Sequence, residues 1–524
     1  MKQKISLLFF SILISCGVYS QGETANWYFG TQSGMLFPNM TTRSDVTING
    51  VLNQTLSGIP TFEVGPINTN EGCFSISDKE GNFLFASNGI YVYNKDKALM
   101  NHGSGLKGDP SATQSGIVIP RPKHPNNYYI VTAPALETVA TRTYGLFYYE
   151  VDMTQDSGQG DVLGPYNGTV PIGTELNFDG IYTTNLAYEN VAAVGHGNGV
   201  DFWLIHRCQN HFFVWLVTEN GIDPTPAGYY VIGDNPGAVY IQGYLRFSAD
   251  GRYIASACPY LPENKSTISV ANFDIDTGVI SGIATRTFPG DNTKGIYGLE
   301  FSPSNEYVYY TYAPRSAYTQ QGLMRVSLSS LLNGVAETPL TLIDQTVGAI
   351  QIGPDSRIYG ISSNYSTLGN PNYRNLYVIP NPNDMTPDVA IIPNYFPAAN
   401  GSHLSLPTFT SSFFSTGDIT SDPGLPACVN TEVTLSIQIT AGSGIDRVAK
   451  LEWDFGDVSG IVTENDMNQY DFVQKHTYTK PGKYTLTITP YKGDGSIITD
   501  KIKTLEVKIS RCVLPVNHNI SVWK

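Results

Sequence analysis

Four residues within one short stretch have the side chains that bind transition metals: His196, His206, Cys208 and His211. Imidazole nitrogens and a thiolate suit zinc, which takes four such ligands in a tetrahedron. His206 and Cys208 stand two apart, so on an extended strand they share one face. The same residues also read as packing, with His206 and Cys208 inside a strand and His196 in its hairpin turn. No CxxC pair occurs anywhere in the chain, so the packing reading is preferred and no metal or cofactor is expected. Nor is a catalytic residue assigned. The chain has no G-x-S-x-G, no H-E-x-x-H and no P-loop. Its many Asp-Gly and Ser-Asp pairs fall between strand-like runs, where they serve as turns and not as paired acid and base carboxylates. Tyr229, Tyr230, Tyr309, Tyr310, Tyr312 and Tyr318 have two readings: stacking on sugar rings, or filling the space between sheets.

The elements that would position these residues come from one repeated unit. Gly243 to Ala257, GYLRFSADGRYIASA, reads as strand, tight turn and return strand. Leu245 and Phe247 alternate with Arg246 and Ser248, and Asp250-Gly251 supplies the turn. Related units begin near Phe74, Ile117, Ala192, Leu299 and Ile350, and their return strands open on Phe83, Tyr128, Phe202, Tyr253, Tyr307 and Ile358. A period of about fifty residues with several strands per repeat predicts a β-propeller. Asn26 to Gly30 precedes the first unit, and Leu404 to Phe414 is a strand-like run with no unit after it. Sharing one blade between these two termini closes the ring without exposed edges and makes seven blades. The long interval over Thr154 to Tyr188 reads as a glycine-rich loop, with an eighth, degenerate blade as the alternative.

Composition agrees with an all-β chain. Charged residues are only 15% of the 524, while Gly (51), Tyr (33) and Pro (32) abound. The net charge of −14 repels phosphates and anionic lipid, so nucleic acid is not an expected partner. Lys2 and Lys4 followed by apolar Ile5 to Ile14 make residues 1–20 a signal peptide. Val18-Tyr19-Ser20 before Gln21 fits cleavage between Ser20 and Gln21. Leu13-Ile14-Ser15-Cys16 fits instead a lipobox that would leave a lipidated Cys16, and the first reading is preferred. No transmembrane segment is expected in the mature chain.

Residues 415–427 read as a linker, and grammar changes after it. Val433, Leu435 and Ile437, then Leu451, Trp453 and Phe455, then Tyr484, Leu486 and Ile488 alternate with polar residues, which predicts a β-sandwich over 428–510. A tail, 511–524, follows. Cys428 and Cys512 bracket the sandwich, and an exported protein is free to oxidise them to a disulfide; two unrelated thiols is the other reading.

Trp453-Asp454-Phe455-Gly456-Asp457, His476-Thr477-Tyr478 and Pro481 to Ile488 resemble the signature of the polycystic kidney disease (PKD) domain, an Ig-like sandwich; Val458 stands where a second glycine is usual. Asn26 to Gly30, Glu71 to Phe85 and Gly108 to Pro122 resemble runs in secreted Bacteroidetes-type propeller proteins associated with gliding motility and type IX secretion. Many of those finish in a C-terminal sorting domain; this chain departs from that pattern at Lys524.

Together these readings predict a seven-bladed β-propeller (26–414) followed by an Ig-like PKD sandwich. The chain is expected to be exported, at the cell envelope, outer-membrane surface or outside the cell. The expected function is binding of polysaccharide or of an envelope or surface protein through propeller loops, with the sandwich as spacer or second contact surface. The alternatives are a glycan lyase or hydrolase of the envelope, and a lipid-anchored structural subunit of a secretion or gliding machine. Oligomeric state is not legible.

Overall fold

The computed structural model describes residues 22–135, 145–182, 187–233, 242–261, 265–289, 294–314, 322–345, 347–362, 374–404, 406–414, 420–422, 427–438, 448–465, 471–498 and 502–511. Residues 1–21, with Cys16, Ser20 and Gln21, lie outside these.

The repeats fold as antiparallel sheets whose strands follow one another in chain order. Sheet I holds Phe74–Ser77, Phe83–Ser87, Tyr91–Asn94 and Leu99–Ser104; sheet II opens with Gly116–Pro120, Asn127–Thr132 and Leu146–Asp152. Sheet III is built on Ala192–Gly195, Phe202–Cys208 and His211–Thr218. Sheet IV runs from Leu245–Phe247 to Ile280–Pro289, sheet V from Lys294–Phe301 to Leu340–Ile343, and sheet VI from Val347–Ile352 to Ala390–Ile392. First strands of consecutive sheets lie side by side, so the sheets radiate from a common centre in a β-propeller arrangement. Among the described residues the interval over 154–188 adds no separate four-stranded sheet: Asp161–Val162 and Thr174–Leu176 both pair with Leu146–Asp152.

Asn26–Phe29, Thr31–Ile48 and Val51–Asn68 pair antiparallel as a three-stranded unit that shares one seven-stranded sheet with sheet VI. It fills the gap between sheets VI and I. Trp27, fully buried, packs its ring 5.9 Å from that of Tyr359 in sheet VI. On the other side Asn26 Nδ2 donates to Ser77 Oγ at 2.9 Å, and the Tyr28 ring meets Phe83 at 4.7 Å. Further along, Thr47 and Ile48 pair with Ile391 and Ala390, stitching this sheet to the last strand of sheet VI.

Leu404 to Phe414 differs from expectation. It is not a blade strand paired with the N-terminal run; it makes one isolated parallel bridge, Phe74 to Thr408, and ends in the 3-10 turn Ser411–Phe414. Pro407 has no N–H to give a ladder. The segment bonds to one first strand after another: Ala349 N–H donates to Leu404 O (2.8 Å), and Thr408 N–H to Cys73 O (2.9 Å). Thr410 Oγ1 donates to Val118 O at 2.9 Å, and Ser412 Oγ accepts from Gly195 N–H at 3.0 Å. It therefore runs down the middle of the ring, touching sheets VI, I, II and III in turn.

The C-terminal part is two sheets face to face. One holds Thr420–Asp422, Glu432–Gln438 and Asp471–Thr477; the other holds Ala427–Cys428, Lys503–Ser510, Gly482–Lys492, Val448–Asp454 and Ile461–Glu464. Thr420–Asp422 lies inside the stretch read as linker, yet it is a strand of the first sheet. Val433, Leu435, Trp453, Leu486, Ile488 and Val507 share the core between the sheets. Beside it, Gly456 sits at φ 72°, where a Cβ would come 2.5 Å from Thr485 O, so only glycine fits. The turn thus aims Asp457 at His476, whose Nε2–H donates to Asp457 Oδ2 at 2.8 Å. The imidazole lies flat on Phe455, ring centroids 4.2 Å apart, and Tyr478 O–H donates to Phe455 O at 3.1 Å.

Burial pushes the Asp457 carboxyl up, but the Ser459 hydroxyl and N–H together with His476 outweigh it and hold it below the ordinary 3.8. A carboxylate lowered in the folded state adds stability above its unfolded value, and that stability is lost as pH falls through the folded value. The gap in melting temperature between wild type and Asp457→Asn, measured by calorimetry on the full chain, should be constant near neutrality. It should narrow as pH drops below about 4.

Candidate functional site

The histidine cluster is dispersed by the fold. His206, fully buried in sheet III, stacks on Phe178 at 5.7 Å. Its Nε2 accepts from Tyr188 N–H (3.1 Å), so the proton sits on Nδ1, which donates to Asn190 O (2.6 Å). Both nitrogens are spent, and burial pushes its pKa down to about 3. His196 lies in the exposed hairpin, stacked on Trp203 at 5.1 Å, with Nδ1 accepting from Asn198 N–H. His211 Nδ1 pairs with Tyr182 Oη at 2.7 Å, and Cys208 is a buried free thiol. Among the described residues no three His, Cys, Asp or Glu side chains converge as a metal site.

The centre of the ring carries charge that the repeat pattern hides. Arg246, Glu300 and Gln351 occupy the same place in Leu-Arg-Phe, Leu-Glu-Phe and Ile-Gln-Ile, the first strands of sheets IV, V and VI. Arg246 and Glu300 are 3% exposed, with Nε and Oε2 3.9 Å apart. Glu300 Oε1 accepts from Phe301 N–H and Oε2 from Ile352 N–H, while the guanidinium lies 4.7 Å above the Tyr244 ring. Burial pushes the Glu300 carboxyl up, against the pull of Arg246 and those N–H groups. A cavity of about 10 Å³ meets these side chains and is walled by Ser411 and Phe414. Arg246 Nη2 and Gln351 Oε1 border it without a protein partner. The space suits one water, not a substrate.

Of the tyrosines, Tyr309 and Tyr310 are fully buried and fill the space between sheets. Tyr229 is 44% exposed on the outer strand Gly228–Val231; Tyr318 lies outside the described residues. Sequence reasoning missed a different aromatic pair. Tyr253 and Tyr307, which open the return strands of sheets IV and V, line an open groove of about 410 Å³. Asn305, Glu306 and Ser327, with Leu328, Ser329 and Leu332 of the short helix Leu328–Leu332, complete its lining. Hydroxyls fix its walls: Ser248 Oγ accepts from Tyr253 N–H, and Ser302 Oγ from Tyr307 N–H, each at 3.0 Å. Asn305 Nδ2 donates to Asp250 Oδ2 at 2.8 Å, tying the two turns together, while Asn305 Oδ1 has no protein partner. Arg325 lies 3.8 Å over the Tyr307 ring and gives its N–H groups to Asp384 O and Met385 O. The one available signal was that the repeat places these two tyrosines at equivalent positions in successive units.

No family model matches the chain, and no curated protein does. Among solved structures, it is similar to Kuenenia stuttgartiensis hydrazine synthase at 11% identity and TM-score 0.33, over 75% of this chain and 95% of that one. It is similar to an endo-arabinase from Bacteroides thetaiotaomicron at 10% identity and TM-score 0.29, over 54% and 94%. It is also similar to the β-propeller domain of a Myceliophteria thermophila protein at 9% and 0.27, over 75% and 96%. Likeness at these scores carries no argument about chemistry.

The central pair makes its own prediction. Arg246→Ala leaves Glu300 buried beside an empty space and should destabilise the chain by about 3–5 kcal/mol in urea unfolding. Arg246→Met together with Glu300→Leu, which removes both charges, should recover most of that loss.

Proposed function

We propose that this chain is an exported binding module of the cell envelope or cell surface that recognises polysaccharide, or a surface protein, through its propeller loops. In this reading the three-stranded N-terminal sheet is the seventh blade, the C-terminal sandwich is a PKD-type Ig-like domain serving as spacer or second contact, and residues 1–20 are removed on export. The observation that carries it is the filled centre. The acid and base side chains that converge at the ring axis are sealed by Ser411 and Phe414, which leaves no room for a reacting substrate. The Tyr-lined groove, in contrast, is open and large enough to hold a small ligand. An enzyme of the envelope is the competing reading.

The mature full-length protein, incubated with a panel of soluble polysaccharides, should be retarded in affinity electrophoresis without generating reducing ends or unsaturated products. Turnover of any member of the panel would replace the binding reading with the enzymatic one.

Cys428 is disulfide-bonded, and Cys73, Cys208 and Cys258 are free thiols. Strand pairing sets Cys428 opposite Ser510, two positions before Cys512, which lies outside the described residues. We propose Cys512 as its partner, a bond that closes the sandwich as one loop and adds roughly 4–5 kcal/mol by the chain-entropy estimate. Non-reducing peptide mapping should recover one linked peptide holding both cysteines; a Cys16 linkage would overturn the pairing.

A further inference from the structure

We propose that the groove between Tyr253 and Tyr307 is a subsite for an uncharged sugar residue of a polysaccharide. This rests on the binding reading above and names its ligand class. The first argument is chemical fit. Two tyrosines of adjacent sheets line the groove, giving apolar ring surface for the C–H face of a pyranose and hydroxyls for its rim. The Glu306 carboxylate, the Ser329 hydroxyl and the Asn305 amide supply polar groups on the same lining. Asn305 Nδ2 holds Asp250 Oδ2 at 2.8 Å, which keeps the two turns that carry the tyrosines together.

Charge selects the sugar. The groove lining contains one acidic side chain, Glu306, and no Lys, Arg or His. Outside the lining, Arg325 gives its N–H groups to Asp384 O and Met385 O, and the largely exposed Arg252 has Nε 3.5 Å from Asp250 Oδ2. A uronate, sulfate or phosphate entering here would meet the Glu306 carboxylate with no cation in the lining itself, on a chain of net charge −14. Neutral hexoses and pentoses meet no such penalty. The hydroxyl-fixed turns hold the lining in place before the ligand arrives, so little ordering is lost on binding.

Affinity electrophoresis and titration calorimetry on the full chain test this, with a mixed-linkage β-glucan, a xylan and a mannan as neutral probes and alginate and polygalacturonate as acidic ones. Wild type should bind at least one neutral probe and neither acidic one. Tyr253→Ala should weaken that binding about tenfold with an unchanged melting temperature. Should Tyr253→Ala fail to fold, Tyr253→Phe, which keeps the ring, and Glu306→Gln, on the exposed rim, provide the reading. The first should retain most of the affinity, and the second should weaken neutral binding while leaving the fold intact. Neutral binding untouched by Tyr253→Ala and by Glu306→Gln would overturn the groove and leave the binding reading standing. Preference for the acidic probes would overturn the charge argument, and no binding of any probe would overturn the polysaccharide reading together with the subsite.

Discussion

A ring of sheets is only as sound as the place where its first and last members meet. Here that place lies between Val347–Ile352 of sheet VI and Phe74–Ser77 of sheet I, and Trp27 fills it. Its ring is fully buried against Tyr359 on one side and Phe409 of the central segment on the other. The buried polar contacts of Asn26 add direction to a contact that is otherwise shape and area. Every other joint in the ring is made between neighbours in sequence. This one brings together residues some three hundred positions apart, and the large core that spans sheets IV, V and VI runs through it.

Once the ring is closed, its middle must be filled, since first strands packed this near leave backbone groups that water cannot reach. Leu404 to Phe414 does this with main-chain and hydroxyl bonds to four sheets. The buried Arg246–Glu300 pair belongs to the same arrangement: charges in so small a space are tolerated because each meets backbone groups as well as the other. The open surface lies outward, at the turns, where the chain is constrained by local Ser and Asp bonds.

The turns were the legible part. Asp250-Gly251 and its counterparts mark each hairpin, and period-2 alternation around them is a local signal that survives without tertiary context. Trp453 and its neighbours were legible for the same reason, because a buried aromatic beside a glycine-bearing turn leaves a pattern within a few residues. The route of Leu404 to Phe414 was not, since its partners lie in sheets VI, I, II and III and no local period records them. Nor was the groove. Tyr253 and Tyr307 look like Phe83 or Tyr128, aromatics that open return strands, and only the apposition of two turns from successive sheets sets them along one surface. The histidines, close in sequence, belong to a hairpin turn, a strand interior and a strand end that face different neighbours, and closeness along the chain does not record those neighbours.

The central segment also has a mechanical meaning. It leaves the ring at Phe414 and continues within a few residues to the sandwich strand Thr420–Asp422, so tension on the sandwich is carried straight into it. Its bridge to Phe74 is parallel, and its bonds to Ala349, Cys73 and Val118 are spread along its length. Pulling along such a segment loads these bonds together in shear, where they resist as a group, and not one after another as in a peeled edge. A pull on the sandwich strand is thus met at the hub of the ring and not at its rim.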